Sequence, residues 1–281
     1  MQRGEAVPGP SSVDLHVHST CSVDGVSSII EHARRARAMG LSEIGFCEHV
    51  DLDPRDQGYD FLDLACYDRE MAAARAAVLG VQLRQGVEIT YQAGLEGELR
   101  AWLAEHAWDY VVASVHLVDY ADGWAIVSEP AAMGAYFAGH SEHQAYAPYF
   151  EELLRAVRSG LGDVLGHLDL VKRYGVAQYG PFAPAAFEEE IRAVLRAAVA
   201  AGVGLEINTS GLRQSPGETY PALTVLRWYR DLGGEVLTVG SDAHRAADLG
   251  AGIAGALDLA RQAGFRAIST FEGRRVCWLD L

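Results

Sequence analysis

Lysine is almost absent from this sequence: Lys172 stands alone against 22 Arg in 281 residues. Basic charge as a whole is scarce, with 23 Lys plus Arg facing 38 Asp plus Glu for a net charge of −15. Such a chain repels a nucleic-acid backbone and an anionic membrane, so neither is expected as its main partner. It also repels phosphate, so a phosphorylated ligand needs local positive charge, which bound metal ions can supply. No Cys-x-x-Cys pair occurs, and Cys21, Cys47, Cys66 and Cys277 read as reduced thiols of a cytoplasmic protein. No run of 18 or more apolar residues lacks charge, which excludes a transmembrane helix. Repeats and low-complexity linkers are missing too. Residues 1–12 carry Gly, Pro and Ser but no apolar core, and are expected to form a loose tail, not a signal peptide. What remains, residues 13–281, is long enough to bury a large core and reads most simply as one domain.

The most informative stretch is Val13-Asp14-Leu15-His16-Val17-His18-Ser19. Val13, Leu15 and Val17 alternate with polar residues, as in a strand. Residues two apart on a strand share a face, so His16 and His18 can present two imidazoles to one divalent ion. The pattern then repeats. Short strands are expected over 43–47, 81–89, 110–115, 163–166, 204–208 and 236–240, each next to a helical pattern. The helices are expected from Ser27 or Ser28 to Gly40 and over 64–79, 96–105, 145–159 (interrupted near Pro148), 187–201, 222–232 and 255–263. Residues 117–143 form a long insertion of the kind that is usually functional or mobile. The C-terminal segment 267–281 looks like a hairpin turning at Glu272-Gly273.

Seven strands alternating with helices imply a parallel sheet. Metal-type residues fall at the carboxyl ends of these strands: His16, His18 and Asp24, then His49, Glu88, His116, His167, Asp242 and His244. Residues from six strands meet in one pocket only if the sheet closes, which favours a TIM-like barrel over an open sheet. Any one of these residues alone is more often packed or exposed than a ligand. As a set, nine candidates are too many for one ion and suit two or three. The other histidines, His32, His106, His140 and His143, are expected on helix surfaces or in the insertion.

Asp14-Leu15-His16-Val17-His18, Glu48-His49, Gly86-Val87-Glu88, Ser114-Val115-His116, Gly166-His167-Leu168-Asp169 and Gly240-Ser241-Asp242-Ala243-His244 together resemble the successive motifs of the PHP (polymerase and histidinol phosphatase) superfamily. Phe46-Cys47-Glu48-His49, the run from Gly166 to Tyr174 and the run from Glu206 to Arg213 resemble its histidinol-phosphatase branch. The resemblance implies a distorted (β/α)7 barrel with metals at the C-terminal face of the strands. It implies one ion on His16, His18, Glu88 and Asp242, a second on Glu88, His116 and His167, and a third on Asp24, His49 and His244. Asp24 stands where many members carry His, which implies an altered metal preference at the third site.

The activity implied is metal-dependent hydrolysis of L-histidinol phosphate with two to three divalent ions (Zn, Fe or Mn). Catalysis is expected to depend most on Asp242, His244 and His167. Clustered dications make hydroxide available near neutral pH and neutralise the phosphate. Lys172, Arg173 and Arg213, just past strand ends, are expected to clamp the phosphate. Glu48, Asp51, Asp53, Asp122 and Glu218 are candidates for binding the cationic end of the substrate. Glu48 and Asp169, beside ligand candidates, have an alternative role in orienting them. The competing readings are a PHP-type nuclease, which needs a basic, aromatic groove that this composition disfavours, and a metal-stabilised scaffold, which would close its coordination sites.

Overall fold

The structure, a computed structural model, describes residues 13–121, 123–127 and 129–281. The tail expected over residues 1–12 and the candidate Asp122 lie outside them. The chain runs β1 (Val13–Val17), α1 (Ile29–Met39), β2 (Glu43–Val50), α2 (Leu64–Ala77), β3 (Gln82–Thr90), α3 (Glu96–Leu103), β4 (Tyr110–Ser114), a hairpin of β5 (Leu117–Tyr120) and β6 (Gly123–Ile126), then α4 (Pro130–Gly139) and α5 (Glu142–Ser159). It continues with β7 (Val164–Leu165), α6 (Lys172–Tyr179), α7 (Glu188–Ala201), β8 (Gly204–Asn208), α8 (Leu223–Asp231), β9 (Leu237–Gly240), α9 (Ile253–Gln262) and a second hairpin, β10 (Ala267–Glu272) and β11 (Arg275–Asp280). No described helix is long and apolar enough to cross a membrane.

Seven parallel strands lie in the order β1-β2-β3-β4-β7-β8-β9. The sheet closes between its ends just past the carboxyl termini of β1 and β9. There Asp242 N donates to His16 O at 2.8 Å, and His18 N donates to Ala243 O at 3.0 Å. Asp14 clips the same seam, accepting from Ser241 N and Gly250 N, both at 2.8 Å. Gly240 permits the approach, since a Cβ there would lie 2.3 Å from that of His16. The result is the distorted (β/α)7 barrel, irregular at this seam and at the two-residue β7.

The amino end of the barrel is plugged. Tyr110 reaches across the interior and donates to Leu15 O at 2.8 Å, and a Cβ at Gly45 or Gly86 would collide with its ring. Phe271 of the C-terminal hairpin stacks beneath it, with ring centroids 6.0 Å apart. That hairpin turns at Gly273-Arg274, both at positive φ, one residue later than expected. With one end filled, the open face is the carboxyl end, where the strands deliver their last residues.

Several local expectations are corrected. Residues 117–143 are not a long loop: they hold β5, β6, α4 and the start of α5, anchored in the core by Val118, Met133 and Phe137. Helix α5 starts at Glu142 on a Ser141–Gln144 capping box and continues through Pro148 without interruption. Proline cannot donate to the carbonyl four residues back, and that carbonyl, Gln144 O, accepts instead from the Tyr136 hydroxyl at 3.3 Å. Strand β2 runs on to Val50, so His49 lies within it. Helix α6 was not expected, because it has no clear apolar period. It packs through Gly175, where a Cβ would lie 1.7 Å from the Tyr146 hydroxyl.

Candidate active site

The side chains expected to bind metal converge at the carboxyl end of the barrel, in and beneath a cavity of about 250 Å³. Glu88, at 1% exposure, is the hub. Its Oε2 lies 3.4 Å from His16 Nε2, 3.6 Å from His18 Nε2 and 3.2 Å from His49 Nδ1. Its Oε1 lies 2.8 Å from His167 Nε2 and 3.6 Å from His116 Nε2. One carboxylate therefore faces two groups of imidazoles, one with each oxygen. The strand period delivers this: His16 and His18 alternate on β1, and Glu88 stands beside His49 in the β2–β3 register. Past β9, Asp242 sits at φ 55°, a conformation that Asp tolerates better than most residues. Its Oδ1 lies 3.5 Å from both His18 Nε2 and His244 Nδ1. Asp24 Oδ2 is 2.9 Å from His244 Nε2, and its Oδ1 is 3.6 Å from His49 Nε2.

These distances fit cations. His16 and His18 point Nε2 at Nε2 across 3.0 Å, and His116 and His167 do so across 3.4 Å. His49 Nδ1 is buried and, among the described residues, makes no hydrogen bond, although Glu88 is near. Ligands at about 2.0–2.1 Å around a tetrahedral ion stand about 3.3–3.4 Å apart, close to the separations seen. Four groupings of three ligand atoms each fall within 4.8 Å: His18-His49-His244, His16-His18-Glu88, His16-His167-Asp242 and His49-Glu88-His116.

The charge balance agrees. Among the described residues no Arg or Lys pairs with Glu88 or Asp242. Although burial works against their charged forms, the surrounding imidazoles hold both carboxyls below the usual range. In exchange, His49 is carried up to about 10 by Asp24 and Glu88 against its burial, while burial pushes His116 down to about 3. Carboxylates that force protons onto buried imidazoles are sites where a metal ion can replace those protons.

Behind the cluster, carboxylates fix three of the rings. His16 Nδ1 lies 2.6 Å from Glu206 Oε1. His18 Nδ1 lies 3.3 Å from Ser22 Oγ, which donates to Glu48 at 2.6 Å. His116 Nδ1 lies 2.8 Å from Thr90 Oγ1, which donates to Asp51 at 2.5 Å. Each Nδ1 is thus engaged on the outside and each Nε2 faces inward. Sequence reasoning assigned no role to Glu206, Asn208, Ser22 or Thr90. The available signal was Glu206-x-Asn208 on a buried strand, the same alternation that exposed His16 and His18.

Several expected substrate contacts are corrected. Glu48 is fully buried and accepts from Ser19 N, Ser19 Oγ and Ser22 Oγ, so it orients the loop carrying His18 and does not border the cavity. Lys172 is also fully buried, with Nζ bonded to Asp169 Oδ2, Glu218 Oε1 and Thr219 O, so its three donors are used. Arg173 does line the cavity. Arg213 lies outside it and donates to Ser241 O at 2.7 Å, bracing the turn that carries Asp242. Asp53 is held by Arg55 and Glu218 by Lys172. Asp51 borders the cavity, its carboxyl pushed up to about 6 by burial, and so do Asp56 and Glu129, which were not anticipated. Gln57 donates to Glu129 and so joins the β2–α2 loop to the insertion across the mouth. His32 is corrected as well: it is buried edge-on against Phe46, not on a surface. His106, His140 and His143 stay away from the cavity.

Comparison with known proteins gives a consistent result. The PHP domain family model matches residues 14–210. A protein from Deinococcus radiodurans named a probable histidinol-phosphatase is 30% identical over 275 residues, covering 94% of this chain and 97% of its own. The histidinol-phosphatase of Lactococcus lactis is 28% identical, covering 94% and 96%. A crystal structure of histidinol phosphate phosphatase from Lactococcus lactis, complexed with zinc, L-histidinol and phosphate, superimposes with a TM-score of 0.84 at 29% identity, covering 95% of this chain and 99% of that one. Extent of match, barrel and cavity together establish that this chain belongs to the PHP domain family, in its histidinol-phosphatase branch.

Proposed function

We propose that this protein hydrolyses L-histidinol phosphate to L-histidinol and phosphate, using two or three divalent ions of the Zn, Fe or Mn type. The observation that carries this reading is the Glu88 hub, with imidazoles facing each of its oxygens at the floor of an open cavity. His16, His18, Glu88 and Asp242 would hold one ion, Glu88, His116 and His167 a second, and Asp24, His49 and His244 a third. Bound ions supply acidified water and positive charge for phosphoryl oxygens. The protein's own residues supply the rest. Arg173 offers paired N–H donors to the phosphate. Glu206, Ser22 and Thr90 keep the rings turned so that Nε2 faces the reaction. Asp51, Asp56 and Glu129 give the cavity an acidic character suited to the ammonium and imidazole of the substrate.

The same acidic character disfavours a nuclease, because a polyanion would run across Asp56 and Glu129. The test is turnover of histidinol phosphate against a dinucleotide and a panel of phosphomonoesters, with metal content measured alongside. Selective turnover of histidinol phosphate, lost on exhaustive chelation, is expected. Asp242→Ala and His167→Ala should each cost about 10²-fold or more in kcat through lost charge stabilisation, whereas His106→Ala should cost nothing. Full activity without metal, or preference for the dinucleotide, ends the reading.

A further inference from the structure

One barrel strand supplies none of the nine candidate ligands, yet it touches three of them. On β8, Glu206 and Asn208 both point into the barrel, at 2% and 0% exposure. Glu206 Oε1 lies 2.6 Å from His16 Nδ1. Its Oε2 accepts from the His167 backbone N at 3.0 Å and from Asn208 Nδ2 at 3.2 Å. Asn208 Nδ2 also donates to Asp242 Oδ2 at 3.2 Å, and its Oδ1 accepts from Ser210 N at 3.0 Å, which fixes the orientation of the amide. Of the three rings held from behind through Nδ1, His18 and His116 reach a carboxylate through a hydroxyl, whereas His16 meets one directly.

We propose that Glu206 is a positioning residue for the metal cluster: it holds the proton of His16 on Nδ1, leaving Nε2 bare toward Glu88, and fixes the backbone that presents His167. This inference rests on the proposed metal-dependent function, and it concerns how the ions are held, not which substrate is cleaved. The hydrogen-bond inventory gives it a sharp consequence. A Gln at position 206 has one acceptor end and one donor end. At the Oε2 position it would meet two donors, His167 N–H and Asn208 NH2, so the acceptor end must go there. The donor end then faces His16 Nδ1. That nitrogen can accept only if the ring proton moves to Nε2, the atom that faces the cluster. Glu206→Gln therefore preserves shape and blocks a ligand.

The test uses the full-length protein. Zinc affinity and stoichiometry are measured in chelator-buffered zinc for the parent, Glu206→Gln and Glu206→Asp, and the tautomer of His16 is read from imidazole ¹⁵N NMR of zinc-loaded, histidine-labelled protein. In E206Q, one zinc per chain should bind about 10- to 100-fold more weakly, the range typical for loss of an orienting partner, and the His16 proton should move from Nδ1 to Nε2. E206D keeps the charge but is one methylene shorter. It can serve His16 or His167 but not both, and should fall between the two. Parental zinc affinity in E206Q with His16 still protonated on Nδ1 overturns the proposal. Should E206Q not fold, parental affinity in E206D overturns it and intermediate affinity supports it. Failure of the parent itself to bind zinc would instead contradict the metal-dependent function.

Discussion

Lys172 Nζ lies 2.8 Å from Asp169 Oδ2, and both side chains are fully buried. The chain's only lysine is thus a cross-link. Through Glu218 and Thr219 O it ties the segment after His167 to the loop before α8, and its ammonium lies 5.2 Å from the Tyr220 ring centroid and 5.6 Å from that of Phe182. Lys172→Met leaves the Asp169 carboxylate in the interior without its cation. Removing one partner of a buried pair typically costs about 3–5 kcal/mol, and that loss is expected in urea unfolding. The double variant Lys172→Met/Asp169→Leu should recover part of it, because neither charge then stays behind. Additive losses in the double variant would show that the pair is not coupled.

The contrast between Lys172 and His16 marks what was legible in the sequence. His16 and His18 could be read because the strand period decides where alternate side chains point, and the same rule carried from strand to strand yields the barrel and the cluster at its mouth. Lys172 could not be placed, because its position just past a strand end is equally compatible with facing the cavity or turning under it. Asp169, Glu218 and Tyr220, scattered along the chain, decide the matter. Pro148 misled for a similar reason: the hydroxyl that satisfies the freed carbonyl comes from Tyr136, on another helix. Asp56 and Glu129 had no periodic pattern to announce them, since they lie on loops.

His32 gives a pH prediction. It is buried edge-on against Phe46, and burial pushes its pKa down to about 4. The folded value lies below the unfolded one of about 6.5, so the unfolded chain takes up the proton first as pH falls. Stability is intact above pH 6.5 and is lost as pH falls toward 4. The linkage amounts to about 2 kcal/mol at pH 5. His32→Leu removes it. Unfolding free energies measured in urea at pH 7.5 and pH 5 should differ by about 2 kcal/mol less in the variant than in the parent. An equal drop in both would assign the acid sensitivity to other groups.

Arg173 and Arg213 should separate. Arg173 lines the cavity, with its guanidinium over the Tyr174 ring, whereas Arg213 lies outside it and is engaged with Ser241 O. A charge-assisted contact to the reacting group is worth about 1.5–3 kcal/mol, so Arg173→Ala should lower kcat/KM about 10- to 200-fold with its metals retained. Arg213→Ala should act through the Asp242 turn, lowering kcat and the affinity for one ion together. Equal losses with full metal content in both variants would place Arg213 on the phosphate as well.

The acidic rim makes the last prediction, a matter of specificity. Glu129 is half-buried at the cavity mouth, comes from the insertion and is joined to Gln57. A carboxylate there attracts the cationic end of histidinol phosphate but gains nothing from a phosphomonoester whose alcohol is uncharged. Because water reaches the rim, the contact is screened and worth about 1 kcal/mol at most. Glu129→Gln keeps the shape and the acceptor for Gln57 while removing the charge. It should raise KM for histidinol phosphate about 3- to 6-fold and leave kcat, and both constants for phenyl phosphate, unchanged. Added salt should narrow the gap between parent and variant, since screening weakens the same attraction. A similar loss on phenyl phosphate would mean that Glu129 shapes the mouth without reading the charge of the leaving group. A change in kcat alone would place it among the groups that act on the reaction.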